Sequence, residues 1–425
     1  MSGVFALVDM DSFYASVEAV FRPSLRGKPV CVLSNGDGNV VARSREAKAL
    51  SVAMGQPAFE LRPLVQNSGL ILLSSNYALY GDMSERIHSI LRDYAPEGNV
   101  YSIDEIFLRW GSLQNPVDVG QRMRAHVLQW CGVPCRVGFG RTKTLAKIAN
   151  RRAKRGDGGV VDLSSAEALD EVLADTPIEE VWGIGPRWGA RLRDLGVSTA
   201  LALREAPAAL LRQRLGVVVA RTQRELQGHA CLSMEEAEPD RKQIFCSRTF
   251  GTPVTDQPTM QAAVASYVTR AAERMRERGL AASAMQVFFH TSPFRKGPQW
   301  AVSRTVGFAT ACDDTRVMLA GARAIVAEHW RSGIPFAKAG VGLLDLVRAQ
   351  RSQSDLFAHQ SAAAEGALMT AVDQINRRFG RNTLRFGTQA LVPEKRWQMR
   401  QASISPRYTT RWSDVLKADA PRSAG

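Results

Sequence analysis

Two apolar runs carry carboxylates where a buried strand has least use for them. Val4–Val8 is a short buried-strand pattern that ends at Asp9. Val100–Leu108 reads as a second strand and holds Asp104 and Glu105 in its middle. A charge inside an apolar strand is costly unless it is paired or bound to a metal ion. A cluster of such acids near basic side chains suits divalent cations that hold phosphate oxygens. The alternative is an edge strand with its acids facing solvent. Adjacent strand residues point to opposite faces, so Asp104 and Glu105 can share a ligand only where the backbone twists or bulges.

The basic side chains are present and clustered. The chain carries a net charge of +14. Arg141–Arg155 holds seven basic residues and no acidic one, and Asn376–Gly425 holds eleven basic and three acidic. Solvated faces would explain both clusters, but a phosphate-binding surface explains them better. With 45% hydrophobic and 23% charged residues the chain is not disordered. A length of 425 residues allows about three domains. The most apolar windows, Gly69–Leu73 and Ala320–Ala327, are far short of the ~20 residues a membrane span needs. No leader is expected, since the chain reaches Asp9 at once. Six scattered cysteines suit reduced thiols and a cytoplasmic location. His126, Cys131 and Cys135 lie close in sequence but lack a fourth metal ligand.

Strands and helices alternate without a regular repeat, which predicts an α+β architecture. Asp11 or Ser12 caps a helix with Phe13, Val17 and Val20 on one face. Val30–Leu33 and Val40-Val41 read as strands, Arg45–Ser51 as a helix, and Cys135–Phe139 as a strand before a basic helix from Thr142. Ser164–Gly228 is mostly helical. Pro239–Lys242 reads as a linker to a second α+β unit, with strands Ala284–His290, Ala301–Phe308 and Ala337–Leu343 and helices Met260–Arg278 and Thr315–Arg331. Val181-Trp182-Gly183-Ile184-Gly185, with Arg187, Arg191 and Arg193 following, resembles a helix-hairpin-helix. In such a turn, glycines let backbone N–H groups approach a phosphate.

Val8-Asp9-Met10-Asp11-Ser12-Phe13-Tyr14-Ala15-Ser16-Val17-Glu18 resembles the opening motif of Y-family translesion DNA polymerases. Tyr101-Ser102-Ile103-Asp104-Glu105 resembles their second acidic motif at the expected separation. The resemblance implies that Asp9, Asp104 and Glu105 are catalytic and hold two Mg²⁺ ions, assisted by the Met10 carbonyl. Asp11 falls where the family varies. Phe13 and Tyr14 then meet the incoming nucleotide. Tyr14 matches the steric gate, a ring under the sugar that leaves no room for a 2′-hydroxyl. Arg45 and Lys48 match finger positions that reach the triphosphate, although the family more often has tyrosine and arginine there. Lys154 matches a palm lysine with the same task.

The rest of the chain fits the same plan. The resemblance implies a multidomain right hand: palm (residues 1–12 and 78–163), fingers (13–77), helix-hairpin-helix thumb (164–232), α+β little finger (243–346) and a basic C-terminal tail (347–425). Gly183, Gly185 and Arg187 in the thumb and Arg248, in Cys246-Ser247-Arg248-Thr249-Phe250-Gly251, are the expected DNA contacts. Gln353-Ser354-Asp355-Leu356-Phe357 has the pattern of a sliding-clamp-binding peptide, with Gln353, Leu356 and Phe357 as anchors. Phe21-Arg22-Pro23, Ser74-Ser75-Asn76-Tyr77, His290-Thr291-Ser292-Pro293-Phe294 and Ser405-Pro406-Arg407-Tyr408 resemble the UmuC subfamily. That implies error-prone translesion synthesis in the SOS response, on primer-template DNA with deoxynucleoside triphosphates. It also implies assembly with a cleaved UmuD-type dimer and a RecA-type recombinase filament. A non-catalytic DNA-binding scaffold is the competing reading, in which the three acids and Tyr14 would be dispensable. A metal-dependent nuclease would not need Arg45, Lys48 and Lys154.

Overall fold

The computed structural model describes residues 3–156, 158–165, 169–234, 242–349, 362–390, 397 and 401–417. The chain forms two compact units. One comprises Met1–Ser34, Gly38–Glu236 and Ser403–Gly425, and the other Asn35–Asp37 and Ala237–Ala402. The expected clamp peptide, with Gln353, Leu356 and Phe357, lies outside the described residues, as does most of the expected linker.

The first unit opens with β1 (Val4–Met10), α1 (Phe13–Phe21), β2 (Val30–Leu33), β3 (Val40–Arg43), α2 (Arg45–Ala49), α3 (Arg62–Ser68) and β4 (Ile71–Ser74). It continues with α4 (Tyr77–Arg92), β5 (Glu97–Val100), β6 (Glu105–Trp110), α5 (Pro116–Cys131), β7 (Cys135–Gly140), α6 (Lys143–Ala153) and β8 (Val160–Leu163). Five short helices follow: α7 (Leu169–Ala174), α8 (Pro186–Asp194), α9 (Ala200–Glu205), α10 (Ala208–Leu215) and α11 (Val217–Leu226).

The central sheet has the order β5-β6-β1-β7-β8. Its middle strand, β1, lies antiparallel to both β6 and β7. Side chains alternate along β1. Ala6, Val8 and Met10 pack with Leu79, Ile87, Met123 and Val127 of α4 and α5. Phe5 and Leu7 pack with Phe107 and Ala146 on the other side, so α6 covers the face that also carries Asp9. Glycine decides how close α6 comes. A Cβ on Gly138 would lie 2.0 Å from the Asn150 backbone nitrogen, and one on Gly140 would lie 2.7 Å from that of Ala146. Asn150 closes the contact by donating Nδ2 to the carbonyls of Leu7 (3.1 Å) and Arg136 (2.9 Å). A second sheet, β3-β2-β4, lies over its own small core of Cys31, Leu33, Val40, Leu61 and Leu70.

The expected continuous strand Val100–Leu108 is instead a hairpin. β5 ends at Val100, residues 101–104 make the turn, and β6 begins at Glu105. Backbone N–H groups of Tyr101 and Ser102 both donate to the Glu105 carbonyl and close that turn. The expected helix Arg45–Ser51 stops at Ala49, and Ser51 takes a left-handed φ of 59°.

The second unit contains β9 (Ile244–Val254), α12 (Gln257–Arg276), β10 (Leu280–Thr291), β11 (Ala301–Cys312), α13 (Thr315–His329), β12 (Phe336–Arg348) and α14 (Ala362–Phe379). The strands form one antiparallel sheet in the order β11-β10-β12-β9. Its apolar face, including Met285, Val287, Phe289, Val341 and Leu343, packs with α12 and α13. The strands run longer than the apolar runs that predicted them: β10 adds buried Leu280, Ala281 and Ala282 at its start, and β12 ends on exposed Val347 and Arg348. The stretch drawn above as one tail divides between the units. α14 joins the second, where Asp373 accepts two 2.8 Å hydrogen bonds from Arg276, and Trp397 packs edge-on to Tyr267. Ser403–Lys417 belongs to the first, anchored by buried Tyr408. The six cysteines are free thiols.

Candidate active site

Register builds the site. Asp9 stands directly opposite Glu105 across the β1–β6 ladder, so both carboxylates leave the sheet on the α6 face. Asp104 reaches the same edge from the hairpin turn, and its carbonyl accepts the Met10 N–H at 3.0 Å. Leaving the strand is what frees Asp104 from strict alternation with Glu105. Ser102 Oγ donates to Asp104 Oδ1 at 2.6 Å and fixes that side chain.

Two lysines of the basic stretch answer the acids. Lys154 Nζ donates to Asp9 Oδ2 at 2.7 Å. Lys147 Nζ donates to both Glu105 oxygens at 3.0 Å. Lys147 is further enclosed by aromatic faces, with Tyr101 at 4.4 Å and Trp182 at 5.3 Å from its nitrogen. Burial pushes the Asp9 carboxyl up to about 7. Lys154 opposes that rise, and the charges of Glu105 and Asp104 add to it. Among the described residues no three His, Cys, Asp or Glu side chains are gathered closely enough to hold a metal ion as they stand. Each acid has a local partner: Lys154, Ser102 or Lys147. His126 instead stacks on Trp130 and meets the Tyr94 hydroxyl.

A cleft of about 480 Å³ opens beside these groups, lined by Asp9, Glu105, Lys147, Lys154, Trp182 and Gly183. Gly183 takes a φ of +86°, and nothing lies nearer than 3.9 Å to the place of its missing Cβ. Gly185 caps α8 from an extended backbone, and Arg187 is exposed on the first turn. In the other unit, Arg248 is half-buried on β9 and donates to the Ser247 carbonyl at 2.7 Å.

Tyr14 lies in an aromatic stack. Its ring is 4.4 Å from that of Tyr80, nearly parallel, and edge-on to Tyr77 at 5.8 Å. Burial, then Tyr77 and the charge of Asp104, push its hydroxyl up to about 12. Phe13 is buried beside it, 5.8 Å between ring centres. Lys48 Nζ donates to Ser12 Oγ at 2.9 Å. Burial and the nearby cations Arg43 and Lys154 hold its ammonium below the ordinary lysine value, against the pull of Asp11 and Asp9. Arg45 is not drawn in: its side chain is 95% exposed, 3.7 Å from Glu46.

Several members of the site escaped sequence reasoning. Lys147 was one of seven basic residues with nothing to single it out. Arg43, whose guanidinium donates to the Val52 carbonyl at 2.5 Å, adds charge beside Lys48. Glu225 ties the helix that carries both lysines: its carboxylate accepts from the Thr144 N–H at 3.1 Å and the Cys231 N–H at 2.6 Å. An anion at a helix N-terminus is favoured by the exposed N–H groups there. The signal for Glu225 is a lone acid between Leu226 and a run of basic residues, which is weak.

The palm-like sheet with its opposed carboxylates, the glycine hairpin and the aromatic stack sit in the fold of solved Y-family DNA polymerases. The chain resembles a solved Y-family DNA polymerase chimera with a TM-score of 0.63 and 22% identity, over 81% of this chain and 99% of that one. The impB/mucB/samB family matches residues 8–151, its helix-hairpin-helix motif residues 166–197 and its C-terminal domain residues 241–356. A domain of unknown function matches residues 366–418. Protein UmuC of Salmonella typhimurium is 42% identical over 97% of this chain and all of the relative. Protein MucB of Escherichia coli is 40% identical over 97% of this chain and 99% of the relative. The chain belongs to the impB/mucB/samB family. Among the described residues no helix is long and apolar enough to cross a membrane.

Proposed function

We propose that this chain is an error-prone, DNA-directed DNA polymerase that carries out translesion synthesis. The observation that carries the reading is Asp9 opposite Glu105, with Asp104 on the adjoining turn and Lys154, Lys147 and Lys48 around them. A pure DNA-binding scaffold gains nothing from acids set beside phosphates.

The donor set fits hard divalent cations. It is all oxygen, and its crowding already raises Asp9 and recruits two ammonium groups. Asp9, Asp104, Glu105 and the Met10 carbonyl would hold two Mg²⁺ ions. Bound there, the ions supply Lewis-acid activation of the primer hydroxyl and charge stabilisation of the departing pyrophosphate. The protein's own contribution is placement and electrostatics. Lys154 and Lys48, with Arg45 at the exposed end of α2, bind and orient the triphosphate. Phe13 and Tyr14 form the floor of the sugar site, and Tyr14 excludes a 2′-hydroxyl. Gly183, Gly185 and Arg187 of the thumb, and Arg248 of the little finger, hold DNA by its backbone.

The palm, fingers, thumb and little finger boundaries are those given from the sequence, while the stretch 347–425 is shared between the two units. The same reading brings a cleaved UmuD-type dimer, a RecA-type filament, a sliding clamp engaged through Gln353, Leu356 and Phe357, and a cytoplasmic setting in the SOS response. The test is primer extension on a lesion-bearing template with Mg²⁺ and deoxynucleotides, with and without the partner dimer and recombinase filament. Asp104→Ala should abolish extension while leaving DNA binding intact. No extension in any mixture, with unchanged binding by the variant, would establish the scaffold instead.

A further inference from the structure

Residues 403–408 return to the first unit and dock behind α1 and α4. Ile404 bridges Ser74 as a short parallel strand. The Ser74 N–H donates to the Ser403 carbonyl, and the Ser403 N–H to Ser74 Oγ, both at 3.0 Å. Asn76, whose Oδ1 caps α4, donates Nδ2 to the Ser405 carbonyl and hydroxyl at 3.0 Å and to the Pro406 carbonyl at 3.1 Å. Tyr408 stacks on Phe21 with ring centres 4.9 Å apart.

This docking ends on a buried acid. Glu18 is fully buried, and burial holds its carboxyl above the ordinary value. Its Oε1 accepts from the Tyr80 hydroxyl at 2.7 Å and from the Ser405 hydroxyl at 2.8 Å. Its Oε2 has no partner among the described residues. A buried carboxyl is tolerated only where hydrogen bonds hold it, so losing either donor is costly. Glu18 lies four residues after Tyr14 on α1, hence on the same helix face. Tyr80 touches both: its hydroxyl bonds Glu18 and its ring stacks on Tyr14.

We propose that residues 403–408 brace the sugar-selecting ring: Ser405 and Tyr80, through Glu18, are positioning residues that set where Tyr14 stands. The proposal rests on the reading of Tyr14 given above. It assigns a task to a part of the segment that matches a domain of unknown function.

The readout is the ratio of kcat/KM for a deoxynucleotide to that for its ribonucleotide, with hydrogen exchange of the α1 amides measured on the same proteins. Ser405→Ala and Tyr80→Phe should each lower the ratio about three- to tenfold, the effect of one hydrogen bond. Both should speed α1 exchange and leave deoxynucleotide kcat/KM within about twofold, the scale of a near-neutral change. Trp412→Ala, at a 94% exposed tail position, should change nothing. Tyr14→Ala separates the two ideas. If it leaves the ratio unchanged, Tyr14 does not select the sugar and the brace falls with that reading. If it collapses the ratio while Ser405→Ala and Tyr80→Phe do not move it, the brace alone is overturned, whatever α1 exchange does.

Discussion

A carboxyl held near 7 by burial has opposite consequences for stability and for cation binding. Folded Asp9 keeps its proton where the unfolded chain has released it, so its contribution to stability falls as pH rises from about 4 to about 7. Its full negative charge is present only above that range. Cation binding must therefore release a proton below about 7. Calorimetric Mg²⁺ titrations in buffers of different ionisation heat should find a released proton at pH 6.5 and almost none at pH 8.5. Asp9→Asn should release none at either pH. Lys154→Ala removes the main influence that lowers the Asp9 value, so the acid limb of the extension profile should move to higher pH. It should also cut kcat/KM by about tenfold or more through the lost charge-assisted bond. A lysine that met only the triphosphate would cut kcat/KM and leave the limb in place. Asp9 and Glu105 were legible because an acid in an apolar run demands a reason. Lys147 was not, since it differs from its basic neighbours only by which side of α6 meets the sheet, and Lys154, singled out by the resemblance alone, was expected at the triphosphate rather than against Asp9.

At the scale of the element, α6 is the piece on which the site depends, and two glycines set its distance. A Cβ at Gly138 would fall on backbone rather than on a side chain that can swing away. Gly138→Ala should cost about 3 kcal/mol, the upper range of overpacking, and lower Tm by about 6–12 °C for a unit of this size. Extension should fall more than stability alone explains at permissive temperature, because Lys147 and Lys154 move with the helix. Gly156→Ala, with nothing near its Cβ, is the control and should melt as the parent does. Part of the strand–helix order could be read from periodicity and caps, as where Thr142 caps α6 by accepting the Leu145 N–H, but α4, α5, β4, β8 and β9 were not read. The hairpin at residues 101–104 could not. Apolar Tyr101 and Ile103 continue the strand pattern through the turn, and only the pairing of Val100 with Ile106 reveals it.

Over the whole molecule, contacts remote in sequence were the least legible. Ser405 and Glu18 are 387 positions apart and Tyr80 and Glu18 are 62 apart, and no local pattern joins them. The basic stretch Arg141–Arg155 also needs restating once its partners are known. Lys147 and Lys154 face the acids of the site, Arg151 and Arg155 pair with Glu180, and Arg152 lies 3.6 Å from Asp175. Most of that cluster is neutralised within the chain and is a poor source of counterion release. Arg187 and Arg191 on α8 are exposed beside the glycine hairpin, with Arg191 over the Trp188 ring. They are the better candidates for phosphate contacts. Each such contact steepens the fall of log affinity with log salt by about 0.9. Anisotropy titrations of primer-template DNA across about 50–200 mM salt should give a slope that shrinks by about one for Arg187→Ala and again for Arg191→Ala. Arg155→Ala should leave the slope unchanged, with Glu180 still paired to Arg151. Equal shrinkage in all three would mean that the α6 ion pairs open on DNA and that the basic stretch is a phosphate surface after all.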